Sequence, residues 1–138
     1  MRALLKPCDP GPLAMGILAL AALAVCVAGF EHARLFHRGY AEVDIVGPLF
    51  ILNAVGSTVV ILMLVFGRVW PFVLGALSIV VPSLVSIYSS HTTGFFGFRE
   101  GGYDEATTLV VAAEIAATAL ALAGGAAAFP RCRPWGAR

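Results

Sequence analysis

Phe30–Asn53 reads FEHARLFHRGYAEVDIVGPLFILN, and its reading decides the fold. An apolar run ends at Phe30. A turn dense in ionisable groups follows: Glu31, His32, Arg34, His37, Arg38, Glu42 and Asp44. Apolar sequence resumes at Ile45, and Asn53 sits well inside it. Long uncharged runs on both sides of a polar turn are the pattern of two membrane-crossing helices joined at a polar mouth.

Composition agrees. The chain has 138 residues, enough for one domain. It is 59% hydrophobic and 12% charged, with a mean hydropathy of +0.90. Soluble domains carry about 25% charged residues. The net charge of +1 leaves no electrostatic footprint for nucleic acid. The lipid bilayer is therefore the expected partner, and it solvates apolar faces that a soluble domain would bury.

Taken in order, residues 1–12 form a short polar segment with Arg2, Lys6, Pro7 and Pro10. Four spans follow, at about residues 13–35, 46–66, 69–90 and 106–129. Pro48 falls in the first turn of span two, where a missing N–H costs nothing. Gly67-Arg68-Val69-Trp70-Pro71 is a tight reversal, so spans two and three are antiparallel neighbours. Pro82 interrupts span three and removes one backbone hydrogen bond. His91–Glu105 is a second polar connection whose three phenylalanines, in Gly94-Phe-Phe-Gly-Phe98, suit the lipid interface. Residues 130–138 are a basic tail with Trp135 as a boundary anchor. A cleaved signal peptide is the competing reading of span one, with Lys6 as its basic start. Three more apolar segments favour a retained anchor.

Basic residues orient the chain. Arg2, Lys6, Arg68, Arg131, Arg133 and Arg138 lie at one end, and Arg34, Arg38 and Arg99 at the other. The positive-inside rule then places both termini in the cytoplasm of a multi-pass plasma-membrane protein. Cys8 and Cys132 would share that reducing compartment, so no disulfide is expected; with the topology reversed they could pair.

Each span has a face of small or polar residues. These are Ala21, Ala24, Ala28, Glu31 and His32 in span one, and Asn53, Gly56 and Ser57 in span two. Span three offers Gly75, Ser78, Pro82, Ser86 and Ser89. Span four offers Thr107, Val111, Glu114, Thr118, Ala121, Gly125 and Ala128. Such faces let membrane helices approach closely, with polar groups bonding across the seam. Glu114 lies about 12 Å into span four at 1.5 Å per residue, and Asn53 lies at a similar depth. A carboxylate there is costly unless protonated or paired. The expected intramembrane polar cluster is Glu31, His32, Asn53, Ser86 and Glu114, with His91 near its outer end. Its bland reading is a neutral Glu114 bonded to Asn53 or a serine; its sharp reading is a proton or cation site. His32 and His91 are the candidate ligands for haem or a metal. No phosphate loop, nucleophile elbow or Cys-x-x-Cys pair names a reaction.

The segment His32…Gly39-Tyr40 with Ile45-Val-Gly-Pro-Leu-Phe-Ile-Leu-Asn53, the Gly97-Phe98 turn and Glu114 resemble small four-span integral membrane proteins of actinobacteria. The layout is also similar to DoxX-like proteins. The resemblance implies location and architecture, and it assigns no activity.

The sequence thus predicts an all-α, antiparallel up-down four-helix transmembrane bundle. The leading functional expectation is a non-enzymatic accessory or scaffold protein acting through helix–helix association, with a membrane-protein partner or in a homo-oligomer. The alternative is a small transporter or proton-coupled protein with an outward-facing polar pocket around Glu114. The third is a haem- or metal-binding redox subunit.

Overall fold

A computed structural model describes residues 5–133; Arg2, Trp135 and Arg138, counted above, lie outside the described residues. Four α-helices follow one another: α1 (Pro12–His37), α2 (Val46–Val65), α3 (Val69–Thr92) and α4 (Glu105–Ala128), with a short 3-10 turn at Tyr40–Glu42. All four are long and apolar enough to cross a membrane. At 1.5 Å per residue the shortest, α2 with 20 residues, spans about 30 Å, the thickness of a bilayer's hydrocarbon core. The protein is a multi-pass four-helix membrane bundle.

Helix ends follow from local chemistry. Pro12 opens α1, and Asp9 Oδ1 accepts from Gly11 N at 2.9 Å to hold the entry turn. At the end of α2, Gly67 adopts φ 69°, Gly67 N donates to Leu64 O at 2.9 Å and Arg68 N to Met63 O at 2.8 Å. This paired closure needs a left-handed residue, and glycine adopts that conformation without steric cost. α3 then starts at once, which makes α2 and α3 antiparallel. Phe95 and Phe98 exchange two backbone hydrogen bonds across Phe96 and Gly97, both at positive φ, so the expected aromatic bend is a two-residue hairpin. Asp104 caps α4 by accepting from Thr107 N at 2.7 Å.

Packing follows the cyclic order α1–α2–α3–α4, each helix touching two neighbours, with α1 on α4 the broadest seam and α2 on α3 the narrowest. The buried positions of α1 include Ala14, Leu18, Ala21, Val25, Ala28, His32 and Leu35, an alternation of threes and fours, with Gly29 and Glu31 buried beside it. On α4 they include Ala106, Val110, Ala113, Ala117, Ala121, Gly124 and Ala128. These small side chains bring the backbones together: a β-carbon on Gly124 would stand 2.7 Å from Leu18.

α3 departs from expectation. Its buried face is Val69, Phe72, Val73, Ala76, Val80 and Ser90, whereas Ser78 and Pro82 are exposed. The reason is that the serines satisfy themselves. Ser78 donates to Gly75 O, Ser86 to Pro82 O and Ser89 to Val85 O, each at 2.8 Å. A hydroxyl bonded to its own helix has no need of a partner across a seam. Ala24, Val111 and Thr118 are likewise only half-buried.

The expectation of free thiols is also corrected. Cys8 and Cys132 form a disulfide, with Cα atoms 5.7 Å apart at a sequence separation of 124, while Cys26 is free and exposed. The sequence argument inferred redox state from compartment. The bundle instead brings both termini to one end, where Cys8 N also donates to Gly67 O at 3.1 Å and Trp70 Nε1 donates to Cys132 O.

Asp104 gives a direct test. Hydrogen bonds from Thr107 hold its carboxyl below the usual carboxylate range. A depressed value means that the cap's contribution is present above that range and is lost as pH falls through the lowered value. We expect Asp104→Ala to destabilise by about 1 kcal/mol and Asp104→Asn by much less, read from thermal unfolding in detergent. The gap between wild type and Asp104→Ala should close in acid.

Candidate intramembrane polar site

Three helices bring polar groups together at one depth. Glu114 lies nine residues into α4, about 14 Å along its axis; Asn53 lies about 10 Å into α2, and His32 about 8 Å before the end of the antiparallel α1. Glu114 is completely buried, and neither of its carboxylate oxygens has a hydrogen-bond partner among the described residues. Its Oε1 stands 3.9 Å from His32 Nε2, too far for a hydrogen bond and close enough for an ion pair when the ring is protonated. Ser83 and Asn53 are polar side chains beside the same carboxyl.

His32 is fixed in one orientation. Its Nδ1 lies 2.8 Å from Ala28 O, and a carbonyl only accepts, so Nδ1 carries a proton. Nε2 then faces Ser83 Oγ at 3.3 Å and Glu114. The ring also packs on Phe50, with centroids 5.0 Å apart. Asn53 Oδ1 accepts from Ser57 Oγ at 3.3 Å, which ties the amide to its own helix.

His32, Asn53 and Glu114 converge. Glu31 is buried but pairs instead with Arg34, one turn along α1, at 2.7 Å. Ser86 faces the neighbouring cavity, and the serine that joins the cluster is Ser83, which the sequence reading passed over. Its signal was position: Ser83 follows Pro82 and is one step off the stripe of Ser78, Pro82, Ser86 and Ser89.

Beside the cluster lies a cavity of about 220 Å³ between α2 and α3. The two helices touch closely near their shared turn, where a β-carbon on Gly75 would stand 2.5 Å from Val60. Further along, the cavity separates them. His32 and Asn53 form its polar end; Leu49, Leu52, Phe50, Ile79 and Pro82 form apolar walls. Leu49 and Leu52 on one wall and Ser78 and Pro82 on the other are exposed, so the cavity opens sideways towards lipid. Its loop end is closed by rings. Tyr40 stacks on Phe50 at 4.8 Å, Phe98 meets Tyr40 edge-on at 5.8 Å, and Tyr40 donates to Glu100 Oε2 at 2.7 Å.

His91 borders the same cavity, but both ring nitrogens are engaged. Nδ1 lies 2.9 Å from Ile87 O and Nε2 3.1 Å from Gly102 O, and the ring stacks on Tyr103 at 4.0 Å. As placed, it offers no nitrogen to a metal. Among the described residues, no three His, Cys, Asp or Glu side chains form a metal-sized group. No family model, no curated protein and no solved structure matches the chain.

Burial first, then the bond to Glu100, raises the Tyr40 phenol well above the usual tyrosine value near 10. The protonated phenol is the stabilising form. Its contribution is whole below pH 10 or so and is lost as pH rises towards the raised value. In an ultraviolet titration, Tyr40→Phe should remove the highest-pH phenolate component and leave the earlier ones in place. Loss of an earlier component would show that the loop end is open to water.

Proposed function

We propose that this integral membrane protein is a small transporter or proton-coupled carrier, with Glu114 as an exchangeable proton site next to His32 beside a laterally open cavity. The observation that carries the reading is the fully buried Glu114 carboxyl, 3.9 Å from His32 Nε2 with Ser83 and Asn53 beside it. Helix cohesion needs only a fixed donor and acceptor, whereas a buried carboxyl beside an imidazole sets two groups that can each gain and lose a proton next to one another. A carboxyl that must gain and lose a proton benefits from a loose second partner and a nearby path to a ligand.

The accessory or scaffold reading keeps one supporting feature. Most of the small-residue surface is consumed in the α1–α4 seam, but Ala112, Ala119, Ala123 and Ala126 remain exposed on the outer side of α4. They suit contact with another helix, from a second copy or a partner. Chemical cross-linking in native membranes reads this directly, with dimer bands lost on Ala119→Leu as the supporting result.

We place the protein in the cell membrane. For orientation two arguments compete. Arginine counts favour cytoplasmic termini. The Cys8–Cys132 disulfide favours an oxidising compartment for that end. We take the disulfide as the stronger, because a bond between residues 124 apart persists only where thiols stay oxidised. The Tyr40 and Glu100 loops then face the cytoplasm.

Two measurements test these readings. Infrared spectra of the reconstituted protein should contain a protonated-carboxyl band that Glu114→Gln removes; identical spectra would end the proton-site reading. Glu114→Gln should fold normally, as read from thermal unfolding in detergent. On intact cells, a membrane-impermeant maleimide should label Cys8 and Cys132 only after an impermeant reductant. Labelling without reductant in inverted vesicles alone would restore cytoplasmic termini.

A further inference from the structure

Four serines of α3 spend their hydroxyls on their own helix: Ser78, Ser86, Ser89 and Ser90 donate to Gly75 O, Pro82 O, Val85 O and Ile87 O, each at 2.8 Å. Ser83 does not. Among the described residues its hydroxyl lies against His32 Nε2, at 3.3 Å. His32 Nδ1 already carries the ring proton, so Nε2 accepts and Ser83 donates. The lone pairs of Ser83 Oγ are left over, and Ser83 lines the cavity between α2 and α3. Asn53 lines it from the facing helix. Its Oδ1 accepts from Ser57, which leaves the amide N–H groups for Glu114 and the cavity. The polar end of the cavity therefore holds an acceptor on α3 and a donor on α2.

Charge, size and access narrow the ligand. No lysine or arginine lines the cavity, and the carboxylate in its lining, Glu100, stands at the loop end and accepts from Tyr40. Both imidazoles in the lining are turned to backbone carbonyls, His32 to Ala28 O and His91 to Ile87 O and Gly102 O. The faces of Tyr40 and Phe50 stack on each other, with His32 against Phe50 and Phe98 against Tyr40, so these rings serve as walls. An ion would give up its hydration here and meet no counter-charge at the polar end, which costs more than a hydrogen bond returns. A cavity of about 150 Å³ with apolar walls holds benzene. The 220 Å³ here leaves room for a ring and a few substituents. The loop end is closed by the Tyr40–Glu100 bond and the rings around it, while the flank between Leu52 and Pro82 is exposed. Entry is from the bilayer, so the ligand must dissolve there.

We infer that this cavity binds a neutral, lipid-soluble alcohol or phenol, one hydroxyl group on a ring-sized apolar body. The hydroxyl donates to Ser83 Oγ and accepts from the Asn53 amide, and the apolar body lies among Leu49, Leu52, Ile79 and Pro82. An ether or ketone would answer Asn53 and leave Ser83 unmet, and a hydrocarbon would leave both unmet. This rests on reading the cavity as the ligand pocket of a carrier, and it names the substrate class. Binding is non-covalent, and no bond is made or broken.

Isothermal titration of the full chain in lipid nanodiscs tests it, with the heat of empty nanodiscs subtracted. The probes are para-ethylphenol, its methyl ether para-ethylanisole, ethylbenzene, and the charged para-ethylbenzoate and para-ethylbenzylammonium. The expected result is saturable binding of one phenol per chain, with the ether and the hydrocarbon about tenfold weaker and the two ions weaker still. Ser83→Ala should weaken the phenol about fivefold and leave the ether unchanged. Ser86→Phe, which fills the cavity, should abolish binding of all the neutral probes. Circular dichroism melting confirms that each variant is folded, and should Ser86→Phe fail that control, Ser83→Ala decides. Equal binding of ethylbenzene, preference for either ion, or an unchanged phenol affinity in folded Ser83→Ala would each overturn the assignment. The infrared band of Glu114 is read without any ligand, so the proton site and the hydroxyl site stand or fall separately.

Discussion

The close approach of α1 and α4 is the constraint from which the rest follows. Alanine and glycine on α4 meet an alternation of threes and fours on α1, and Gly124 leaves the space that Leu18 fills. In a bilayer, lipid tails are as apolar as leucine, so burial alone does not drive helices together. Tight van der Waals contact between small side chains does, and it sets the depth at which everything else on these two helices must meet. His32 and Glu114 are the polar members of that seam.

The opposite seam is built differently. α2 and α3 are joined by a tight glycine turn and touch near it, at Gly75 and Val60. Beyond that contact their facing side chains are Leu, Phe, Ile and self-bonded serines, which make no bond across the gap. The bundle is therefore closed on one flank and open on the other. At the end with the termini, the Cys8–Cys132 bond and the Trp70 hydrogen bond to Cys132 O hold the chain ends to the α2–α3 turn. That end is stapled, and the cavity lies towards the other end.

The proposed proton site rests on this asymmetry. Glu114 sits in the closed seam but stands next to His32 and Asn53, which face the open one. A change of charge in the cavity is felt at Glu114 through one layer of side chains, and a change of proton at Glu114 is felt in the cavity. Coupling of that kind needs no large motion.

By itself, the sequence determined the class of solvent and the number of crossings. Runs such as Leu13–Phe30 and Ile45–Phe66 have one stable answer in a bilayer, because a helix satisfies every backbone group internally. It also determined that Glu114 and Asn53 lie at matching depths, since helical rise is a fixed length per residue. Tertiary structure alone decided which side of each helix faces which neighbour. Hydropathy is nearly uniform around these helices, so a small or polar stripe does not say whether it meets a helix, a cavity or its own backbone. That is why Glu31 was drawn to Arg34, why the stripe of Ser78, Ser86 and Ser89 stayed out of the seam, and why Ser83 took a place none of them holds. The disulfide was legible only as a condition: four crossings put Cys8 and Cys132 on one side, and the closed ring of helices then brings them to one point.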